Sequence, residues 1–193
     1  MNPFENPFPL SKARNIRGNR RLAREKALQV LTAYFISEDP WENSFEHIFN
    51  RDFNFDDDEQ IYDKLLTQDE IIEIESDSAI EWIEEEKEFT KNLISSTLAH
   101  RDEADSYIVS VAENWELERI ALLDRILIEM AVIELISFGE IPTKVSINEA
   151  IEIGKLYSTD KSGTFINGVL DKIAELLTAE GKIKKLGRGL NTE

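Results

Sequence analysis

Cysteine is absent from the chain, so disulfides, thiolate metal sites and cysteine nucleophiles are excluded together. Histidine is nearly absent: His47 and His100 lie in unrelated contexts and read as surface or capping residues rather than as a catalytic base. No apolar run approaches the roughly 20 residues that a bilayer crossing needs, and the Met-Asn-Pro-Phe-Glu start lacks the basic-then-apolar order of a secretory signal. GxxxxGK(S/T), GxGxxG, CxxC and HExxH are missing too. Asp56, Asp57, Asp58 and Glu59 come without the His or the turn glycine of a calcium loop and read as a solvated acidic loop. The expectation is a cytoplasmic protein that is not an enzyme, with no cofactor and no metal site.

Acid, by contrast, is abundant: 39 Asp and Glu face 22 Lys and Arg, a net charge of -17. The charge is unevenly distributed. Residues 1–35 carry seven basic groups against two acidic ones (+5), residues 36–118 carry five against 26 (-21), and residues 119–193 are nearly balanced (-1). A molecule this acidic repels nucleic acid at long range, but screening beyond about 8 to 10 Å leaves a local basic site free to act.

That basic site is "RNIRGNRRLAREKALQVL", residues 14–31, with five arginines and one lysine. From about Arg20 to Ser37, Ala27, Leu28, Leu31, Tyr34 and Phe35 recur on one helical face. Arg17, Arg20 and Arg24 extend the same stripe toward the N-terminus. Three guanidiniums cannot continue into a dry core without acids, so the helix start either overshoots the bundle or lies across a wet groove. For Arg24 alone, pairing with a carboxylate of a neighbouring helix is the competing expectation.

The remaining pattern is helical, with no strand. Residues 1–15, with Pro3, Pro7, Pro9 and a doubled Asn-Pro-Phe, read as a mobile tail. Residues 37–88 form an acidic insertion without clear period. Ser76 or Asp77 is the expected N-cap of the next helix, with Ile80, Ile83, Phe89, Leu93 and Ile94 inward. A shorter helix carries Tyr107, Ile108 and Val111. Residues 116–138 read as one long apolar helix stopped by a left-handed Gly139. Ser146 and Glu149 form an expected capping box. A last helix over about 164–180 ends at Gly181. Its Gly168 costs roughly 1 kcal/mol relative to Ala, which implies a close approach by another backbone or a ligand. Residues 181–193, with Lys182, Lys184, Lys185 and Arg188, form a basic C-terminal tail. The expected domain therefore covers residues 16–180.

Two stretches together resemble the NusB transcription antitermination family: "RRLAREKALQVL", and "LDRILIEMAVIELISFGEIPTKVSINEAIEIGKLYSTDKSGTFINGVLDKI". The family pattern is an arginine-led first helix followed by A-x-x-E-L, P-x-x-V-x-I-N-E-A-(V/I)-E-(L/I) and F-(V/I)-N-G-(V/I)-L-D. Its counterparts here include Glu134, Leu135, Pro142, Val145, Asn148, Glu149, Phe165, Asn167 and Gly168. The resemblance covers about residues 18–36 and 89–178.

It implies an all-α fold of two small helical bundles sharing one core. It also implies binding of single-stranded boxA RNA of nascent ribosomal RNA transcripts jointly with the ribosomal protein NusE, within an RNA polymerase antitermination complex resistant to termination. Residues carried over as RNA-binding are Arg20, Arg21, Arg24, Gln29, Phe165 and Asn167; Arg17, from the helical stripe, joins them as an expected RNA-binding residue. Phosphate-neutralising arginines beside stacking and amide side chains suit unpaired RNA, although Phe165 and Asn167 also fit ordinary packing and capping roles. Thr32 stands where the family commonly has tyrosine, and Thr164 where it often has lysine. NusE would meet the helix around Phe89 to Leu98. A homodimer paired through the RNA face is a further expectation, as is an acidic protein-interaction module that recruits NusE-like partners with little RNA binding.

Overall fold

A computed structural model describes residues 16–50, 80–111, 117–159 and 161–190. The expected N-terminal tail, the Asp56 to Glu59 loop and the Ser76 or Asp77 cap lie outside the described residues. Seven helices stand among those described: α1 (Arg20–Ser37), α2 (Trp41–Asn50), α3 (Glu84–Ala99), α4 (Arg101–Val111), α5 (Leu122–Ser137), α6 (Thr143–Tyr157) and α7 (Ser162–Ala179). The fold is all-α, and the described residues include one pair of two-residue parallel strands, β1 (Ile16–Arg17) and β2 (Ile80–Glu81).

α5 is the axis of the molecule. Every residue from Ile126 to Leu135 is buried, because the helix is apolar all round and is covered on several sides. α1, α2 and α3 form one bundle that reaches α5 through α1 and α3; α4, α6 and α7 form the second, packed on α5 and on each other. Ala27, Leu28 and Leu31 of α1, Leu93 and Ile94 of α3 and Ile166, Leu170 and Ile173 of α7 meet in one continuous core.

Helix ends follow local chemistry where the signal is local. Asn19, extended at φ -151°, accepts the Leu22 N–H at 3.0 Å and caps α1. α7 ends in a Schellman motif: Gly181 is left-handed at φ 67°, Lys182 N–H reaches the Leu177 carbonyl at 2.9 Å, and Gly181 N–H reaches that of Thr178 at 3.0 Å.

Elsewhere the structure corrects the sequence reading. Arg17 precedes the α1 cap and lies in β1, so it does not continue the helical stripe. Ile80 lies in β2, and Ile83 is the exposed N-cap residue of α3 rather than an inward helical position. The 116–138 stretch is not one helix. A 3-10 turn over Leu117–Arg119 is separated from α5 by Ala121, whose extended backbone (ψ 135°) breaks the helical path.

Gly139 has no left-handed φ. A Cβ there would sit 2.9 Å from the Lys184 carbonyl, so the residue admits a close backbone approach. The Ser146–Glu149 box does not form, because α6 starts earlier on Pro142, whose carbonyl accepts the N–H groups of Val145 and Ser146. Ser146 is thereby carried inside the helix and buried.

The C-terminal segment folds back onto the end of α5. Leu186 N–H donates to the Gly139 carbonyl at 2.8 Å, and Lys185 Nζ donates to the carbonyls of Glu134 (3.3 Å) and Phe138 (3.1 Å). A cation therefore caps the helix C-terminus where the dipole favours one. Burial lowers the Lys185 pKa, while Glu134 and Glu140 pull it upward. Lys182 pairs with Glu103 of α4 at 2.8 Å.

Candidate nucleic-acid interface

The sequence-selected arginines divide into two kinds. Arg24 is 5% exposed; its Nε and Nη2 donate to the two oxygens of Glu134, each at 2.8 Å, and Nη1 donates to the Arg20 carbonyl at 3.1 Å. The paired-carboxylate expectation for Arg24 therefore holds. Buried and with its fork filled by one carboxylate, this guanidinium is turned away from solvent, and it fixes the start of α1 against α5.

Arg20 and Arg21 face solvent. Arg20 Nη2 donates to Glu85 at 2.9 Å, and its Nε stands 3.4 Å from Glu86; the guanidinium lies 4.3 Å from the centre of the Phe89 ring. The negative first turn of α3 (Glu84, Glu85, Glu86) thus forms a platform for Arg20. Arg21 is forked onto Glu149 of α6 at 2.9 and 2.8 Å. That hydrogen-bonded carboxylate, with its charge, raises the Arg21 pKa against a small desolvation cost. Arg17 is exposed beside them, one residue before Gly18.

Further along α1, Gln29 is exposed and accepts from Lys26 Nζ at 3.0 Å. It lines an open, mainly apolar groove of about 400 Å³ with Leu28, Thr32, Ala33, Leu123 and Tyr157. Thr32 spends its hydroxyl on the Leu28 carbonyl at 2.7 Å and fills little of this space, which is where the ring common in the resembled pattern would project. Tyr157 closes the groove and donates to Glu25 at 2.8 Å. Burial, with that hydrogen bond behind it, raises the pKa of its phenol.

Phe165 and Asn167 stand in the first turns of α7. Phe165 is half-buried against the core, and Asn167 is exposed with its amide donating to Asp171 at 2.9 Å. α6 links the two predicted sets: it holds Arg21 through Glu149 and packs along α7. A Cβ at Gly168 would meet no atom of the described residues within 4 Å, so none of their backbones accounts for the glycine.

Sequence reasoning missed the acids. Glu85, Glu86, Glu134 and Glu149 hold the arginines from 65 to 128 residues away in sequence. In a chain so rich in carboxylates, only Glu134 and Glu149 carried a signal, as members of the E-L and N-E-A patterns. Among the described residues no group of three or more Asp, Glu or His is arranged to hold a metal ion, and no helix is long and apolar enough to cross a membrane.

Residues 21–175 match the NusB family model. The chain is 51% identical over 104 residues to the transcription antitermination protein NusB of Salinibacter ruber, an alignment covering 54% of this chain and 65% of that protein's length. To the NusB protein of Chloroherpeton thalassium it is 34% identical over 172 residues, covering 89% and 69%. Among solved structures, T. maritima NusB superposes with a TM-score of 0.61 at 27% identity, covering 83% of this chain and 93% of that one. A chain from the crystal structure of the antitermination factors NusB and NusE in complex with double-stranded RNA gives a TM-score of 0.57 at 22% identity, covering 81% and 96%. With its arginine-led first helix, its two bundles sharing α5 and a family match over most of its length, the chain belongs to the NusB family.

Proposed function

We propose that this protein is an RNA-binding transcription antitermination factor. It binds a boxA-like single strand of nascent ribosomal RNA together with NusE in the cytoplasm and makes RNA polymerase resistant to termination. The observation that carries this reading is the concentration of Arg17, Arg20 and Arg21 at one exposed end of an otherwise acidic molecule. Phosphate can replace the exposed carboxylate partner of Arg20 and the partly exposed partner of Arg21, because both pairs lie at the surface, where ion pairs are weak. Gln29 and Phe165 add an amide and a ring for unpaired bases. NusE is the proposed partner on family grounds, and the fold is shared with a chain of the NusB–NusE complex.

One observation favours the second reading, an acidic interaction module with weak RNA binding: Arg20 and Arg21 are both already paired with protein carboxylates. A salt titration of binding to a short boxA-like RNA, with and without NusE, separates the two. Three phosphate contacts on a single strand predict a slope of about -2 in log K against log salt. Replacing Arg17, Arg20 and Arg21 by Ala should flatten it. Binding that is insensitive to both salt and these substitutions supports the interaction module.

A further inference from the structure

The acid-rich connection between α1 and α3 suggests, by charge alone, a competitor for the basic arm. Its two described ends do something else. β2 pairs in parallel with β1, Ile80 opposite Ile16 and Glu81 opposite Arg17, and Gly18 N–H donates to the Glu81 carbonyl at 2.8 Å. Beyond β2 the Trp82 indole fills the space beside Gly18 where a side chain would stand. A Cβ at Gly18 would run into Trp82 Cε3, with Cζ3 and Cδ2 at 2.8 and 3.0 Å, so no larger residue fits with the ring in place.

The indole is itself held. Phe49 of α2 lies 4.5 Å from it, and Phe49 stacks on Phe45 at 4.3 Å with planes 10° apart. Both phenylalanines are buried. Two-residue strands have no stability of their own, so the aromatic stack adds to the backbone pairing in holding the arm in place.

We infer that the two ends of the acidic connection, α2 and the β2–Trp82 segment, clasp the arginine arm in the position from which it meets RNA, with Trp82 as the positioning residue and Gly18 as its seat. The inference rests on the RNA-binding reading above. Arg17 keeps an exposed side chain on a fixed backbone, and Asn19 leads the chain directly into the cap of α1. Binding then needs no ordering of residues 16–18. Each residue whose backbone is already fixed is worth roughly tenfold in affinity.

The test uses the full chain, amide exchange at residues 16–18, and binding of a short fluorescein-labelled single-stranded boxA-like RNA at several salt concentrations. Gly18→Ala removes the seat and displaces the Trp82 ring. It should speed exchange at residues 16–18 and weaken binding by roughly tenfold for each of these residues that the RNA must then order, with an unchanged salt slope because the same phosphates are still neutralised. Arg17→Ala should instead lower the slope by about 0.7. Trp82→Phe should bind nearly as the wild type does, and Trp82→Ala should behave as Gly18→Ala.

Unprotected amides at residues 16–18 in the wild type overturn the clasp. Wild-type affinity in Gly18→Ala and Trp82→Ala, despite accelerated exchange, overturns its role in binding. If the wild type shows no salt-dependent RNA binding, the RNA reading fails and takes the functional half of the inference with it; exchange at residues 16–18 still decides the clasp separately.

Discussion

Arg24 on α1 and Glu134 on α5 form a bidentate ion pair across 110 residues of sequence, with both side chains withdrawn from solvent. Breaking such a pair leaves an uncompensated buried charge, whereas replacing both partners by apolar groups of similar size removes the cost. Arg24→Ala should therefore lower stability by about 3 to 5 kcal/mol. Arg24→Met combined with Glu134→Leu should recover most of it. Urea unfolding of the two single variants and the double variant checks this. Equal destabilisation in singles and double would contradict the coupling.

Glu149 occupies the fork of Arg21 that a phosphate would take. Removing its charge while keeping its shape should release the guanidinium. Glu149→Gln is therefore expected to raise affinity for single-stranded boxA-like RNA by roughly twofold to fivefold at low salt, with the difference shrinking as salt rises. Fluorescence titration at two salt concentrations measures it. A loss of affinity would mean that Glu149 orients Arg21 rather than competing for it.

What the sequence made legible was the chemistry carried by neighbouring residues. The start of α1 near Arg20, its apolar face and the Gly181 stop of α7 all lie within one or two turns of the residues that signal them. Interactions set from afar were hidden. Gly139 carries a stop signal in sequence, but its constraint comes from the Lys184 carbonyl 45 residues later. Ser146 and Glu149 have capping-box spacing, yet Pro142 starts the helix one turn earlier and Glu149 is claimed by an arginine of α1. Ile80 and Ile83 continue an apolar pattern through a strand and a cap, because periodicity does not register where a backbone leaves the helix. In the candidate site the arginines were visible as a cluster. Which of them is exposed was not, since that depends on one acid of α5.

Glu129 on α5 is fully buried, bonded through Oε1 to Arg125 at 2.8 Å and to Arg101 at 3.3 Å, with Asp105 on the other side of Arg125. Burial raises its pKa to about 7; Arg101 and Arg125 oppose that rise, and Asp105 adds to it. A carboxyl whose folded pKa lies above its unfolded value contributes stability that is complete below the unfolded pKa and lost as pH rises through the folded one. The Glu129 contribution should therefore fall by roughly 3 kcal/mol as pH rises from about 4.5 to about 7. The difference in unfolding free energy between Glu129→Gln and wild type, followed by urea unfolding across that window, should move in favour of the variant by this amount. A difference independent of pH would show that Glu129 stays charged throughout.

Gly168 is exposed on α7, one residue after Asn167, with open space where a side chain would stand. Its φ is not left-handed, so alanine fits the backbone, and a glycine inside a helix costs roughly 1 kcal/mol relative to alanine. Gly168→Ala should thus raise stability by about 0.5 to 1 kcal/mol in urea unfolding. Among the described residues none gives the glycine a reason in folding, and none makes the close approach expected from the sequence. If the RNA backbone makes it, the added methyl should weaken binding of a boxA-like RNA severalfold while the protein becomes more stable. The two measurements on one variant move in opposite directions in that case. A gain in stability with unchanged affinity would place the RNA path away from the start of α7, leaving α1 to carry the interface.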